Sequence, residues 1–357
     1  MASAHFFAYI FFRAPKNRTE EEKNACSNSL FEQWMNSQGL KEGKPFDLGH
    51  PELTHIRQAQ NEERDISLLR LDEIDILKIH RMQTATDEDP LTFWENCVEE
   101  LKKHPPDKSC HFGLAHVLCL PSDDFLKEIQ VPPEYAEIPG SGRLYQAGEH
   151  SFLMISQKPA AFLGRDFPVI LSFLQKLTYQ DDISQDVKSR NRVYRTEIEK
   201  LTALDRLRDI ESNFNSIKTY QAYLGDNLIS LSKIHQNFDI NLLNLENYLK
   251  TLRIQEDTLF TRVIRKAEKA RRQLRFDLNH ARLNLDRVNG QLKLVELGIE
   301  KQRINEQSRI KQLITVIGVT FGMGQVAANE AWDTKLLLMC IAMLAISLIV
   351  WFLNRDR

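Results

Sequence analysis

The sequence predicts an α+β cytoplasmic domain followed by long coiled-coil-like helices and a two-helix transmembrane hairpin at the C-terminus. Strand-like and helix-like patterns are mixed up to about residue 180. No proline follows Pro168 and glycine becomes sparse, which leaves the rest of the chain free to form long helices. Two runs without a charged residue, Gln312 to Asn329 and Leu336 to Asn354, close the chain. The expected boundaries are therefore 1–180 for the α+β domain, 181–311 for the helical stalk and 312–329 for the first span. An outer link at 330–335, a second span at 336–354 and a basic tail at 355–357 complete the layout.

The elements follow in order. HFFAYIFFRA (5–14) is short and aromatic, the pattern of a core strand. It has no basic segment before it and is too short to cross a bilayer, so it is not read as a signal peptide. Thr19 and Glu22 form a capping-box pattern that opens a helix carrying Leu30, Phe31 and Trp34, with a stop near Gly39. ISLLRLDEIDILKIHRM (66–82) fits either strand or helix. DPLTFWENCVEELKKH (89–104) is an amphipathic helix with Pro in its first turn and Lys and His at its end. CHFGLAHVLCL (110–120) reads as a buried strand, and GRLYQAGEHSFLMIS (142–156) as a hairpin turning at Ala147-Gly148.

Beyond Val193, apolar residues recur at three- to four-residue spacing through Ile198, Leu201, Leu204, Phe214, Ile217 and Leu224, with a break expected near Gly225-Asp226-Asn227. A second register runs through Leu242, Leu245, Leu249, Leu252, Leu259 and Val263. After a slip it resumes through Leu274, Ala281, Leu285, Val288, Leu292, Val295 and Ile299. The spacing averages about 3.5, the coiled-coil period. A continuous helix from Asp239 to Lys311 would extend about 110 Å. Its apolar stripe must pair with the preceding helix or with copies of itself, and the second choice makes the protein a homo-oligomer.

Composition narrows the function classes. A net charge of -2, from 47 Lys and Arg against 49 Asp and Glu, argues against general nucleic-acid binding, which needs a basic face to release counterions. The five cysteines include no C-x-x-C pair, which fits a reducing, cytoplasmic setting.

Each closing run has about the length that crosses 30 Å of hydrocarbon as a helix. Lys301, Arg303, Arg309 and Lys311 precede the first, Arg355 and Arg357 follow the second, and Glu330, Asp333 and Lys335 lie between. The positive-inside rule then places both termini in the cytoplasm and the protein in the inner (plasma) membrane. A hydrophobic dimerisation hairpin is the alternative. The first run carries Thr315, Gly318, Thr320, Gly322, Met323, Gly324 and Gln325, candidates for lining a pore or for close helix packing. Asn329, Glu330 and Asp333 are candidates for the outer mouth, where acidic groups would concentrate cations.

With its α+β domain, long stalk, Phe321-Gly322-Met323-Gly324 near the end of the first run and short remainder, the chain resembles the CorA-type magnesium channels. The family's motif is aromatic-Gly-Met-Asn, whose Asn is implicated in recognising hydrated magnesium. Gly324 stands in its place, and Gln325 offers an amide one residue on. The resemblance implies a homopentameric funnel with Mg2+ or another cation as permeant or regulatory ion. CorA-like proteins lacking the full motif are also effectors of prokaryotic antiviral systems, in which a small-molecule or nucleotide signal would bind the N-terminal domain.

Other residues offer narrower chemistry. The basic cluster at 262–275 includes Arg262, Arg265, Lys269 and Arg272, candidates for binding an anion or nucleotide, for repelling cations, or for pairing on a solvated stalk. Asp181, Asp182 and Asp186 are candidates for a divalent cation site or simply a helix start suited to the dipole. Cys110, His111, His116 and Cys119 have zinc-ligand identities, but neighbours on a strand point to opposite faces. No catalytic constellation or cofactor fingerprint emerges, so no enzyme activity and no resident cofactor are expected. Three functional readings stand: a cation channel gated by its cytoplasmic domain, a two-span defence effector, and a non-conducting scaffold.

Overall fold

A computed structural model describes residues 3–13, 19–45, 47–84, 89–125, 134–148, 150–159, 161–202, 207–254, 259–327, 336–337, 339 and 341–346. At its centre is a nine-stranded sheet with β1 (His5–Arg13), β2 (Lys41–Gly43), β3 (Leu53–Gln60), β4 (Arg64–Leu71), β5 (Ile74–Met82), β6 (His111–Leu120), β7 (Tyr135–Ile138), β8 (Gly142–Gln146) and β9 (Ser151–Ile155). Their spatial order is β2-β3-β4-β5-β1-β6-β9-β8-β7. Neighbours are antiparallel except β6 and β9, which run parallel.

The continuous apolar run of β1 follows from its place in the middle of the sheet. Phe6, Ala8, Ile10 and Phe12 face one layer, built by α1 (Glu20–Ser37) and α2 (Pro90–Lys103) through Leu30, Phe31, Trp34, Phe93, Cys97 and Leu101. Phe7, Tyr9 and Phe11 face the other layer. There α3 (Phe167–Thr202) supplies Phe167, Ile170 and Phe173, α4 (Leu207–Thr251) supplies Phe238, Leu242 and Leu245, and α5 (Leu259–Ala327) supplies Phe260 and Leu274. Tyr9 ties the sheet to this second layer by donating its hydroxyl to the Leu163 carbonyl at 2.6 Å.

Local chemistry explains the joins. The capping box at the start of α1 forms, with the Glu22 N–H donating to Thr19 and the Thr19 N–H to Glu22. Segment 66–82 resolves into β4 and β5, joined at a tight turn where Asp72 adopts φ +50°. The predicted hairpin at Ala147-Gly148 joins β8 to β9. Gly142 opens β8 at φ +115°, and a Cβ there would run into the Ile155 carbonyl, so only glycine fits.

Between α1 and β5 lies a buried ionic cluster. Lys23, fully buried, reaches Asp75 at 3.7 Å, Glu20 at 2.6 Å and the Glu73 carbonyl at 3.0 Å. Asp75, equally buried, accepts from Arg70 at 2.7 Å and from the Ser27 hydroxyl at 2.9 Å.

The chain divides into two compact units. The head unit contains residues 1–191 and 226–281, and the second contains 192–225 and 282–357. Within the second, Ile198, Ile217, Leu224, Val288 and Leu292 pack together, so part of the α5 stripe is covered by helices of its own chain. The break expected near Gly225 does not occur. Helical glycine costs only about 1 kcal/mol, and packing around Leu224 and Leu231 offsets it. The interruption falls instead at 252–254, where Arg253 takes φ +56°.

The C-terminal expectation requires correction. Among the described residues, no helix is long and apolar enough to cross a membrane. The two-helix transmembrane hairpin, the membrane character and the inner-membrane placement derived from it are therefore overturned. Residues 312–327 of the first run are the end of α5, where Arg309 and Lys311 lead directly into residues diluted by Thr315, Gly318 and Gln325. Of the second run, only residues 336–337, 339 and 341–346 are described, all of them helical.

Candidate ligand cavity

A cavity of about 480 Å3 lies in the head between the β6–β9 part of the sheet and the helices of the second layer. That volume falls in the range of small-molecule sites. Its apolar lining includes Phe152, Leu171, Phe238 and Phe260, each no more than 5% exposed. Strand alternation aims Phe152 inward from β9, while helical spacing places Leu171, Leu174 and Thr178 of α3 along one line of the wall. Polar groups enter from other elements: His150 from the turn before β9, Glu134 from just before β7, Asp181 from α3, and Arg262 and Lys266, one turn apart, from α5.

The charges are not equivalent. Arg262 pairs with Glu134 at 3.7 Å, but both side chains are mostly exposed, so the pair is weak and easily displaced. Lys266 is exposed and has no ion pair among the described residues. The cleft thus joins an apolar wall to two cations, Arg262 and Lys266, and two carboxylates, Glu134 and Asp181.

The sequence candidates distribute unevenly around this site. Arg262 lines it, whereas Arg265, Lys269 and Arg272 do not. Asp181 lines it; Asp182 and Asp186 do not. Burial and the neighbouring Asp181 charge hold the Asp182 carboxyl above the ordinary range, and Asp186 pairs with Arg190 at 3.1 Å. Among the described residues, no group of three His, Cys, Asp or Glu side chains is placed to hold a metal. His116 turns toward Ser151 at 2.9 Å, while burial pushes it down to about 4 and the Cys119 thiol up to about 12.

Thr315 and Gly318 are exposed on α5, where the Thr315 hydroxyl donates to the Lys311 carbonyl at 2.8 Å. Thr320, Gly322, Met323, Gly324 and Gln325 belong to the helical end of α5. Asn329, Glu330 and Asp333 lie outside the described residues.

One polar cluster had no sequence signal. The Tyr248 hydroxyl on α4 donates to Asp166 at 2.9 Å and lies 2.9 Å from His50 Nε2. Asp166 closes a π-helical turn at Phe162–Asp166 just before α3. Burial and the Asp166 charge push the Tyr248 hydroxyl strongly up, so it stays protonated and acts as a tether between α4 and the π turn. Its members are separated by 82 and 198 positions, beyond the reach of any local motif.

No protein-family model matches this chain, and no curated protein matches it.

Proposed function

We propose that the protein is a non-catalytic ligand-binding scaffold whose head domain takes a small amphipathic anion in the cavity lined by Arg262 and Lys266. The observation that carries this reading is the meeting of a buried apolar wall with a cation that has no ion pair among the described residues. The channel and two-span effector readings both need membrane spans, which no helix of the described residues supplies.

1-Naphthyl phosphate tests the site, with neutral 1-naphthol as the control for apolar binding elsewhere. Isothermal titration is expected to show that Lys266→Glu weakens naphthyl phosphate at least tenfold, about 1.4 kcal/mol, while naphthol binding stays unchanged. Equal affinity of wild type and variant for the phosphate would remove the assignment.

Self-association is favoured by a separate observation. Leu294, Leu297 and Ile304, then Ile310, Ile314 and Ile317, are large apolar residues of α5 that remain 46–71% exposed. Within each group the three-, four- and seven-residue intervals are those of a coiled-coil seam, with a six-residue step between the groups, and a second copy of the same helix would fill such a seam. Sedimentation velocity is expected to show an oligomer for the full chain and a shift toward monomer for a Leu297→Asp, Ile304→Asp variant. A single monomeric species for the unmodified chain would exclude assembly through α5.

A further inference from the structure

We propose that Cys26 and Cys110 form a reversible disulfide by exchange with a low-molecular-weight disulfide, making the junction of α1 and β6 a thiol-modification site. The two Sγ atoms lie 2.7 Å apart, although the residues are separated by 84 positions. A disulfide needs about 2.05 Å between sulfurs, so closure asks for a movement of less than 1 Å.

Both partners are held by contacts unrelated to sulfur. Cys26 sits on α1 between Lys23 and Ser27, which anchor that helix to Asp75 on β5. Cys110 is fixed where its carbonyl accepts from the Arg13 N–H at 3.0 Å and its N–H donates to the Asp107 carbonyl at 3.1 Å. The proximity is thus set by the packing of α1 on the sheet.

Exposure assigns the order of events. Cys26 is half-buried and Cys110 is 1% exposed, so an external disulfide reaches Cys26 first. The Cys26 thiolate, having lost its proton to solvent, bonds to one sulfur of the oxidant to form a mixed disulfide, while the oxidant's S–S bond breaks and its other sulfur leaves as a thiolate that takes up a proton. Cys110 then loses its proton and attacks the Cys26 sulfur of the mixed disulfide, expelling the second thiol. Two protein thiols and one small disulfide become one protein disulfide and two small thiols. Cys97 and Cys119 are poor competitors because burial pushes both thiols up to about 12.

The experiment uses the full chain with Cys340→Ser, to avoid cross-linking between copies, incubated with oxidised glutathione. Intact-mass analysis is expected to show loss of two hydrogen atoms with no glutathione retained, and peptide mapping to join the peptides carrying Cys26 and Cys110. Adding Cys110→Ser is expected to trap one glutathione on Cys26, whereas Cys26→Ser should react at least tenfold more slowly. A product that keeps its glutathione while both cysteines are present, or a link joining other cysteines, would overturn the proposal. Equal reactivity of the two single variants would overturn the assigned order and the proposal with it.

Discussion

Replacing Asp75 with alanine is expected to destabilise the head by roughly 3–5 kcal/mol, the cost of leaving one member of a buried ion pair alone. Lys23 is the member left behind. Its side chain is 1% exposed, and with Asp75 gone its ammonium keeps, among the described residues, Glu20, a partner 60% exposed to water, and the Glu73 carbonyl. Arg70 and Ser27 lose the Asp75 carboxylate in the same step and keep only their bonds to Asn24 among the described residues. Urea denaturation at pH 7 measures the loss directly. A decrease below about 1 kcal/mol would show that water reaches the cluster and screens it. The double variant Lys23→Met, Asp75→Leu sharpens the test, because exchanging both members of a buried pair for apolar groups is often close to neutral. It is expected to be more stable than Asp75→Ala alone.

Acidification is expected to weaken the fold well before most carboxylates titrate. Burial holds His80 down at about 4, helped by the charges of His5 and Lys78 and opposed by Asp65. Burial holds His116 at about 4 as well, with a smaller contribution from His150. Both rings are neutral in the fold and titrate near 6.5 once unfolded. The unfolded chain therefore binds more protons in this window, so stability is full above about pH 6.5 and is lost as the pH falls toward 4. Between pH 7 and pH 5 each ring should remove roughly 2 kcal/mol. His80 stacks on Phe7 at 4.4 Å, and His116 on Phe6 at 6.1 Å, so an added charge on either ring would sit against an aromatic face rather than in open water. Urea midpoints across this range, compared with those of His116→Gln, provide the check. A flat profile from pH 7 to pH 5 would refute the argument, and His116→Gln should reduce the slope without abolishing it, because burial also lowers His5, His50, His80 and His111.

Much of the head was legible because single elements carry their own signals. β1 declared itself through aromatic density, since both of its faces are covered. α1 was marked by Thr19 and Glu22, whose reciprocal bonds need only a local turn. Segment 66–82 was ambiguous for a physical reason: β4 and β5 are buried on both faces, which erases the two-residue alternation, and their turn uses Asp72 rather than glycine. The cavity was legible only in part. Arg262 belonged to a visible basic cluster, but nothing local links it to Phe152 or Phe238, which tertiary packing brings alongside. In the first run of the tail, absence of charge was taken for apolarity. Thr315, Gly318 and Gln325 carry no charge, yet they contribute little of the grease that a spanning helix needs.

The head is assembled from two separated stretches of chain, and this has a consequence for synthesis on the ribosome. When residue 191 has been made, all nine strands exist, but the helical layer over Phe7, Tyr9 and Phe11 still lacks everything that α4 and α5 provide. Residues 226–281 complete it. At 5–20 residues per second the delay is on the order of ten seconds, far longer than hydrophobic collapse takes. Throughout that interval one face of the sheet is only partly covered, which makes the nascent chain a natural client for chaperones that shield apolar surface.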